Sequence, residues 1–169
     1  MPATSLYVVR HGDAGDKRSW AGDDAARPLS PLGVERSKAL GRYLARASIR
    51  PTRIVTSPFA RALQTADLVA DALGMQERVV VDERLIPGFS MGDLRAILAA
   101  NDSDGQMLVG HEPSLSSVVA KVVGGGSFTL RKGGFARLDL EDLCTPRGRL
   151  VWLVTPSLLV DPSDERSAL

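Results

Sequence analysis

Short apolar runs bounded by polar, glycine or proline residues alternate along this chain with stretches whose apolar residues recur at helical spacing. A continuous apolar run of four to six residues reads as a buried strand, and an i, i+3, i+4, i+7 pattern reads as a helix with one buried face. Their alternation predicts an α/β protein: a three-layer α/β/α sandwich around a mainly parallel central sheet. Strands are expected at Leu6–Val9, Arg53–Ser57, Arg78–Val81, Gln106–Gly110, Phe135–Leu140 and Arg149–Val154. Ser30 and Pro31 supply an N-cap and a first-turn proline for a helix that buries Leu40, Tyr43, Leu44 and Ala47. A second helix after Pro58 carries the stripe Phe59, Ala62, Leu63, Ala66, Val69, Ala70 and Leu73, with Gly74 as its C-cap. Shorter helices fit Asp93–Ala100 and Pro113–Val123. Two long irregular stretches remain, Gly12–Leu29 and Asp82–Gly92, and loops of that length in a compact domain tend to carry function.

At 169 residues the chain suits one domain over 1–169, with a core at about 5–159 and a C-terminal tail at 160–169. Twenty-one basic against twenty acidic residues leave a net charge of +1, which argues against a protein built to coat nucleic acid or an anionic membrane. No apolar stretch approaches the 18 residues of a membrane span, and Met1 to Leu6 lacks the basic start and apolar core of a signal peptide. The single cysteine, Cys144, excludes an internal disulfide. Together these features predict a cytoplasmic protein.

The two histidines occupy matching contexts. His11 follows Leu6-Tyr7-Val8-Val9-Arg10 and His111 follows Met107-Leu108-Val109-Gly110, so each lies just past the C-terminal end of a predicted strand. That edge is where open α/β sheets bind ligands. One histidine at a strand end is most simply an ordinary loop residue; two in the same topological position, with no others in the chain, point to a site. A third strand runs into Ser57-Pro58-Phe59-Ala60-Arg61, placing Arg61 in the first turn of a helix, where the dipole disfavours a cation unless an anion shares the site. Arg27 closes the first long loop. Arg10, His11, Arg27, Arg61 and His111 brought together would need a dianion for balance, and a phosphoryl group suits the arginine fork.

The blocks Arg10-His11-Gly12-Asp13-Ala14, Arg27-Pro28-Leu29-Ser30 with Gly33, Ser57-Pro58-Phe59-Ala60-Arg61-Ala62-Leu63-Gln64-Thr65 and Gly110-His111-Glu112-Pro113, with the late Trp152–Pro156 segment, resemble the histidine phosphatase superfamily. Within it they are most similar to the SixA-type phosphohistidine phosphatases. The resemblance implies a phosphoglycerate mutase-like fold and a metal-independent phosphatase with no cofactor. His11 would be the nucleophile that forms a phosphohistidine intermediate, with Arg10, Arg61 and His111 around the phosphoryl oxygens. Arg27, Gly12 and Ser57 would complete the substrate site.

The mutase-like branch carries a Glu general acid two residues beyond a leucine in the loop after the third strand. Here that leucine aligns as Leu85, and the position two further on is Pro87. Asp13 and Glu83 are the nearby carboxylates that could donate a proton instead. A missing acid hurts cleavage of an alkoxide-leaving ester more than cleavage of a phosphorylated imidazole, so the expected substrate is phosphohistidine on a phosphorelay or phosphotransfer protein. A small-molecule phosphomonoesterase and a phosphate-binding module without turnover are the alternatives. Cys144-Thr145-Pro146-Arg147-Gly148-Arg149 resembles a cysteine phosphatase loop but has Leu150 where the arginine belongs, and Gly124-Gly125-Gly126 lacks a nucleotide-binding fingerprint, so it reads as a turn. Arg131 and Lys132, beside Gly133-Gly134, read as a solvated turn that could touch an acidic partner surface.

Overall fold

A computed structural model describes residues 4–100 and 104–159. The tail expected at 160–169 lies outside the described residues. Six strands, β1 (Thr4–Arg10), β2 (Arg53–Thr56), β3 (Val79–Val81), β4 (Gln106–Gly110), β5 (Phe135–Asp142) and β6 (Arg147–Val154), form one sheet in the order β3-β2-β4-β1-β5-β6. The first four are parallel. β5 runs antiparallel to β1, and β6 antiparallel to β5. Among the described residues four α-helices accompany the sheet: α1 (Pro31–Arg46), α2 (Ala60–Leu73), α3 (Met91–Ala100) and α4 (Ser114–Val122).

The period-2 alternation of the strands sorts side chains onto two faces. Leu6, Val8, Val55 and Leu108 pack with Leu94, Ile97, Leu115 and Val119, so α3 and α4 cover one face. Tyr7, Val9, Ile54, Met107 and Val109 pack with Leu40, Leu44, Ala66 and Val69, so α1 and α2 cover the other. Burying each leucine or isoleucine of these layers contributes about 1.5–3 kcal/mol. α1 starts as the sequence predicts, with Ser30 Oγ accepting from the Gly33 N–H at 3.1 Å and Pro31 at the first helical position. α2 ends at Gly74 in the left-handed region (φ 66°), which glycine adopts without steric cost.

The differences from expectation lie at element ends. Arg78 belongs to a 3₁₀ turn ahead of β3. β6 begins two residues early at Arg147 and continues the hairpin past a register shift at Arg137/Leu138. The two long loops are partly ordered by 3₁₀ turns at Lys17–Ser19, Asp24–Ala26 and Glu83–Leu85, each capped by an aspartate side chain at Asp16, Asp23 and Asp82.

Candidate active site

β1, β2 and β4 are adjacent, and their registers align Arg10 with Gly110 and Thr56 with Val109. Their C-terminal ends therefore release His11, Ser57 and His111 at one sheet edge. The His11 backbone N–H reaches Gly110 O at 3.1 Å, and the imidazole centroids lie 5.0 Å apart. Both rings are buried, at 7% and 2% exposure.

His11 Nδ1 lies 2.7 Å from Gly12 O. A carbonyl only accepts, so Nδ1 carries the hydrogen and Nε2 carries the lone pair. Arg61 Nε donates to that Nε2 at 3.3 Å, which requires the same tautomer. Burial pushes the His11 pKa down to about 3; the Gly12 hydrogen bond opposes this, while His111, Arg61 and Arg10 reinforce it. The ring is neutral at physiological pH.

His111 Nε2 lies 2.8 Å from Ser57 Oγ, which accepts from the Phe59 N–H at 3.3 Å. Ser57 Oγ keeps its own hydrogen and a second lone pair, so the contact is satisfied either with the serine hydrogen on Nε2 and the His111 hydrogen on Nδ1, or with Nε2–H donating to Oγ. That Nδ1 is buried and has no partner among the described residues. Burial, followed by the charge of Arg61, lowers the His111 pKa to about 4, against a smaller opposing effect of Asp24 and with a further lowering from Arg10.

Three arginines surround the pair. Arg10, at the end of β1, donates from one terminal nitrogen to Leu130 O at 3.0 Å, and its buried Nε has no partner among the described residues. Arg61, 4% exposed in the first turn of α2, donates to the Asp24 main-chain O at 2.7 Å and to Asp24 Oδ2 at 3.1 Å. Arg27 donates to Asp24 Oδ1 at 3.0 Å and to Ala14 O at 2.7 Å. The anion that Arg61 requires at a helix N-terminus thus includes a carboxylate of the chain itself. Sequence reasoning missed Asp24. The local signal was its i, i+3 spacing to Arg27, because Arg61, the partner that ties it to the nucleophile, lies 37 residues away.

The α2 spacing serves the site as well as the core. Arg61 and Thr65, four residues apart, share a face. Thr65 Oγ1 donates to Arg61 O at 2.7 Å and accepts from the Gly12 N–H at 3.0 Å, while Gln64 Oε1 accepts from the Leu29 N–H at 2.8 Å. Gly12 itself sits where a Cβ would stand 2.9 Å from Ser37 Oγ and 3.0 Å from Gly33 O, so only glycine lets its carbonyl reach back to His11.

Arg10, His11, Arg27, Arg61 and His111 line a cavity of about 480 Å³ that also takes in Ala14, Gly15, Asp16, Lys17, Asp24, Pro87, Glu112 and Lys132, whereas Gly12 and Ser57, expected in the substrate site, are not among its lining residues. Neither carboxylate offered by the sequence as a proton donor lines it. Asp13 is tied to Lys132 Nζ at 2.6 Å and Ser30 Oγ at 2.7 Å; burial raises its pKa, but these bonds, with the Gly15 N–H, outweigh burial and hold it down at about 2. Glu83 is exposed in the turn after β3. Pro87, the position at which the mutase-like branch places its acid, does line the cavity, as does Glu112, whose Oε1 accepts from Ser116 Oγ at 2.8 Å. Cys144 lies in a separate groove of about 770 Å³ between the β5–β6 hairpin and the end of α4, away from the histidines. Among the described residues no three His, Cys, Asp or Glu side chains converge to hold a metal ion, and no helix is long and apolar enough to cross a membrane.

A sequence model of the histidine phosphatase superfamily (branch 1) matches residues 6–94. Phosphohistidine phosphatase SixA of Escherichia coli strain K12 is 30% identical over 157 residues, covering 89% of this chain and 93% of its own. The solved structure of the protein histidine phosphatase SixA with tungstate superposes with a TM-score of 0.81 at 28% identity, covering 92% of this chain and 99% of that one. A 2,3-bisphosphoglycerate-dependent phosphoglycerate mutase of Thermobifida fusca is 35% identical over 77 residues, covering 43% of this chain and 30% of the mutase.

Proposed function

The chain belongs to the histidine phosphatase superfamily, and from that premise we propose that it hydrolyses phosphohistidine on a phosphotransfer protein without a metal ion, using His11 as nucleophile. The observation that carries this reading is the neutral His11 ring, fixed by Gly12 O with Nε2 as its one lone pair, among Arg10, Arg61 and His111. The kinship with the SixA proteins supports the substrate class.

The buried Arg10 Nε and His111 Nδ1 have no protein partners among the described residues; a phosphoryl oxygen would satisfy the arginine N–H and, in the tautomer in which Ser57 donates to Nε2, the Nδ1 hydrogen as well. Arg61 rests on the His11 lone pair at 3.3 Å, longer than the 2.7–2.9 Å of a charge-assisted bond to an anionic oxygen. An incoming phosphoryl oxygen therefore draws the Arg61 Nε–H off the ring nitrogen and frees the nucleophile as the substrate binds. Nε2 then attacks phosphorus. The substrate P–N bond breaks, and its electron pair stays on the leaving imidazole, which departs neutral because its distal nitrogen carries a proton. Phosphorylated His11 keeps its Nδ1 hydrogen on Gly12 O, so Nε2 is a good leaving nitrogen when water attacks. Water supplies the new P–O bond, the P–N electrons return to Nε2, and inorganic phosphate leaves. Phosphoryl transfer depends mainly on positioning and charge neutralisation, which the guanidinium groups provide.

Pro87 favours this substrate over an alkyl phosphate, since it places a side chain with no proton at the cavity wall. Incubation with a labelled phosphohistidine protein tests the reading. The expected product is a phosphoenzyme stable to alkali, labile to acid and absent from His11→Ala, with turnover unchanged by excess chelator. Wild-type protein that takes up no label, or a soluble metabolite turned over far faster than phosphohistidine protein, would overturn it.

A further inference from the structure

We propose that Asp24 is a positioning residue of this site: its carboxylate clamps Arg27 and Arg61 in the geometry that receives the phosphoryl group, and its charge keeps the cavity from holding the released phosphate too tightly. The inference rests on the phosphoryl-site reading above.

One carboxylate serves two guanidinium groups. Oδ1 takes Arg27 Nε at 3.0 Å, and Oδ2 takes an Arg61 terminal nitrogen at 3.1 Å, with Lys17 Nζ at 3.7 Å. The Asp24 main-chain O takes the other Arg61 terminal nitrogen at 2.7 Å. With Nε on His11, three of the five Arg61 N–H groups are placed by contacts within the chain, and two are left for a ligand. Asp24 supplies two of the three contacts that orient the fork, and the third puts Arg61 on the nucleophile.

Charge gives the second half of the argument. Arg10, Lys17, Arg27, Arg61 and Lys132 line the cavity against Asp16, Asp24 and Glu112. Asp16 is bonded to Arg18, and Glu112 to Ser116, so Asp24 is the lining carboxylate placed between the two arginines. It leaves the cavity an excess of two positive charges, the complement of a phosphoryl dianion. Without it a third charge would be added. Burial and the helix dipole make Arg61 expensive without a partner, so an anion would bind more strongly and leave more slowly.

The peptide frame does not depend on the carboxylate. Asp23 Oδ1 caps the turn through the Ala25 N–H at 3.0 Å, Trp20 Nε1 donates to Asp23 O at 2.9 Å, and the main-chain oxygen that accepts from Arg61 is retained whatever side chain stands at position 24. Asp24→Asn in the full-length chain is therefore the test, read as kcat and KM on a phosphohistidine protein, the inhibition constant of inorganic phosphate, and the thermal midpoint. The expected result is a kcat at least tenfold lower together with phosphate inhibition at least threefold tighter, at an unchanged pattern of unfolding. A purely structural residue would weaken phosphate binding, so an inhibition constant that is unchanged or weaker overturns the proposal. If Asn does not fold, Asp24→Ser is read in the same way. If neither folds, hydrogen exchange at Arg27 Nε in the phosphate-bound wild type decides: protection supports a persisting clamp and its loss overturns one. A wild type that neither forms a phosphoenzyme nor is inhibited by phosphate would instead remove the phosphoryl-site reading itself.

Discussion

Nε of Arg61 donates to Nε2 of His11 across 3.3 Å, so a guanidinium reached from α2 rests on the one lone pair of an imidazole placed by β1. Thr65, one turn along the same helix, holds the Gly12 backbone that in turn orients the imidazole. The two groups are thus referenced to a single rigid element, and displacement of α2 would move both ends of the contact together.

Replacing Arg61 by lysine keeps the charge and loses the fork. A lysine ammonium cannot span His11 and both Asp24 oxygens at once. Loss of one donor to a developing oxyanion costs about 2.7–4 kcal/mol. The expected outcome for Arg61→Lys is therefore a fall in kcat/KM of about 100- to 1000-fold. A decrease under tenfold in steady-state kinetics would show that Arg61 does not contact the transition state.

The pH dependence follows from the histidine shifts. His11 titrates at about 3 and His111 at about 4 in the folded protein, below the ordinary value of 6.5, so the neutral rings are the favoured folded forms. As pH falls through 6.5 the unfolded chain takes up protons that the folded chain refuses. Folding stability contributed by the neutral rings is complete above 6.5, is lost progressively as pH drops, and levels off below about 3. In ¹⁵N spectra of the ligand-free protein neither ring should protonate between pH 8 and pH 5. An imidazole titrating near 6.5 would contradict the burial that sets these values.

The parts of this architecture that depend on neighbours in sequence were the legible ones. The apolar run before His11 and the run before His111 announce strands whose ends point to one edge, and Ser30-Pro31 announces the start of α1. Strand order was not legible, since nothing local states that β4 inserts between β1 and β2. The 3₁₀ turn at Asp24–Ala26 was read as irregular because its hold on the site comes from Arg61, far along the chain. Asp13 looked like a candidate acid for the same reason: Lys132, its partner, is 119 residues away.

Gly12→Ala should separate stability from catalysis. The new Cβ would meet Ser37 Oγ at 2.9 Å and Gly33 O at 3.0 Å, and the main-chain oxygen cannot swing aside. Overpacking of this kind costs about 1–3 kcal/mol, and for a chain of this size each kcal/mol lowers Tm by about 2–4 °C. Turnover should fall further than the population of folded protein, because the displaced residue is the one whose carbonyl fixes His11 Nδ1. Adding Ser37→Ala, which removes one of the opposing atoms, should recover part of the lost Tm. A double variant no more stable than the single one would show that the clash at Ser37 is not what destabilises it.

Ser57→Ala removes a hydroxyl that is buried between the His111 ring and the Phe59 N–H. Leaving those groups without their partner costs about 1–3 kcal/mol. The more specific effect is on the tautomer. In the Nδ1-protonated tautomer the serine hydrogen sits on Nε2, and without it that tautomer loses the net worth of one hydrogen bond, about 1 kcal/mol, or about fivefold in the tautomer ratio. A smaller share of molecules then presents the Nδ1 hydrogen that the wild-type network leaves without a protein partner. The expected outcome is a kcat lower by less than about fivefold and a visible rise of the Nε2-protonated form in long-range ¹H–¹⁵N spectra. If His111 keeps the same tautomer in the variant while kcat falls, Ser57 does not set the tautomer and acts by another route.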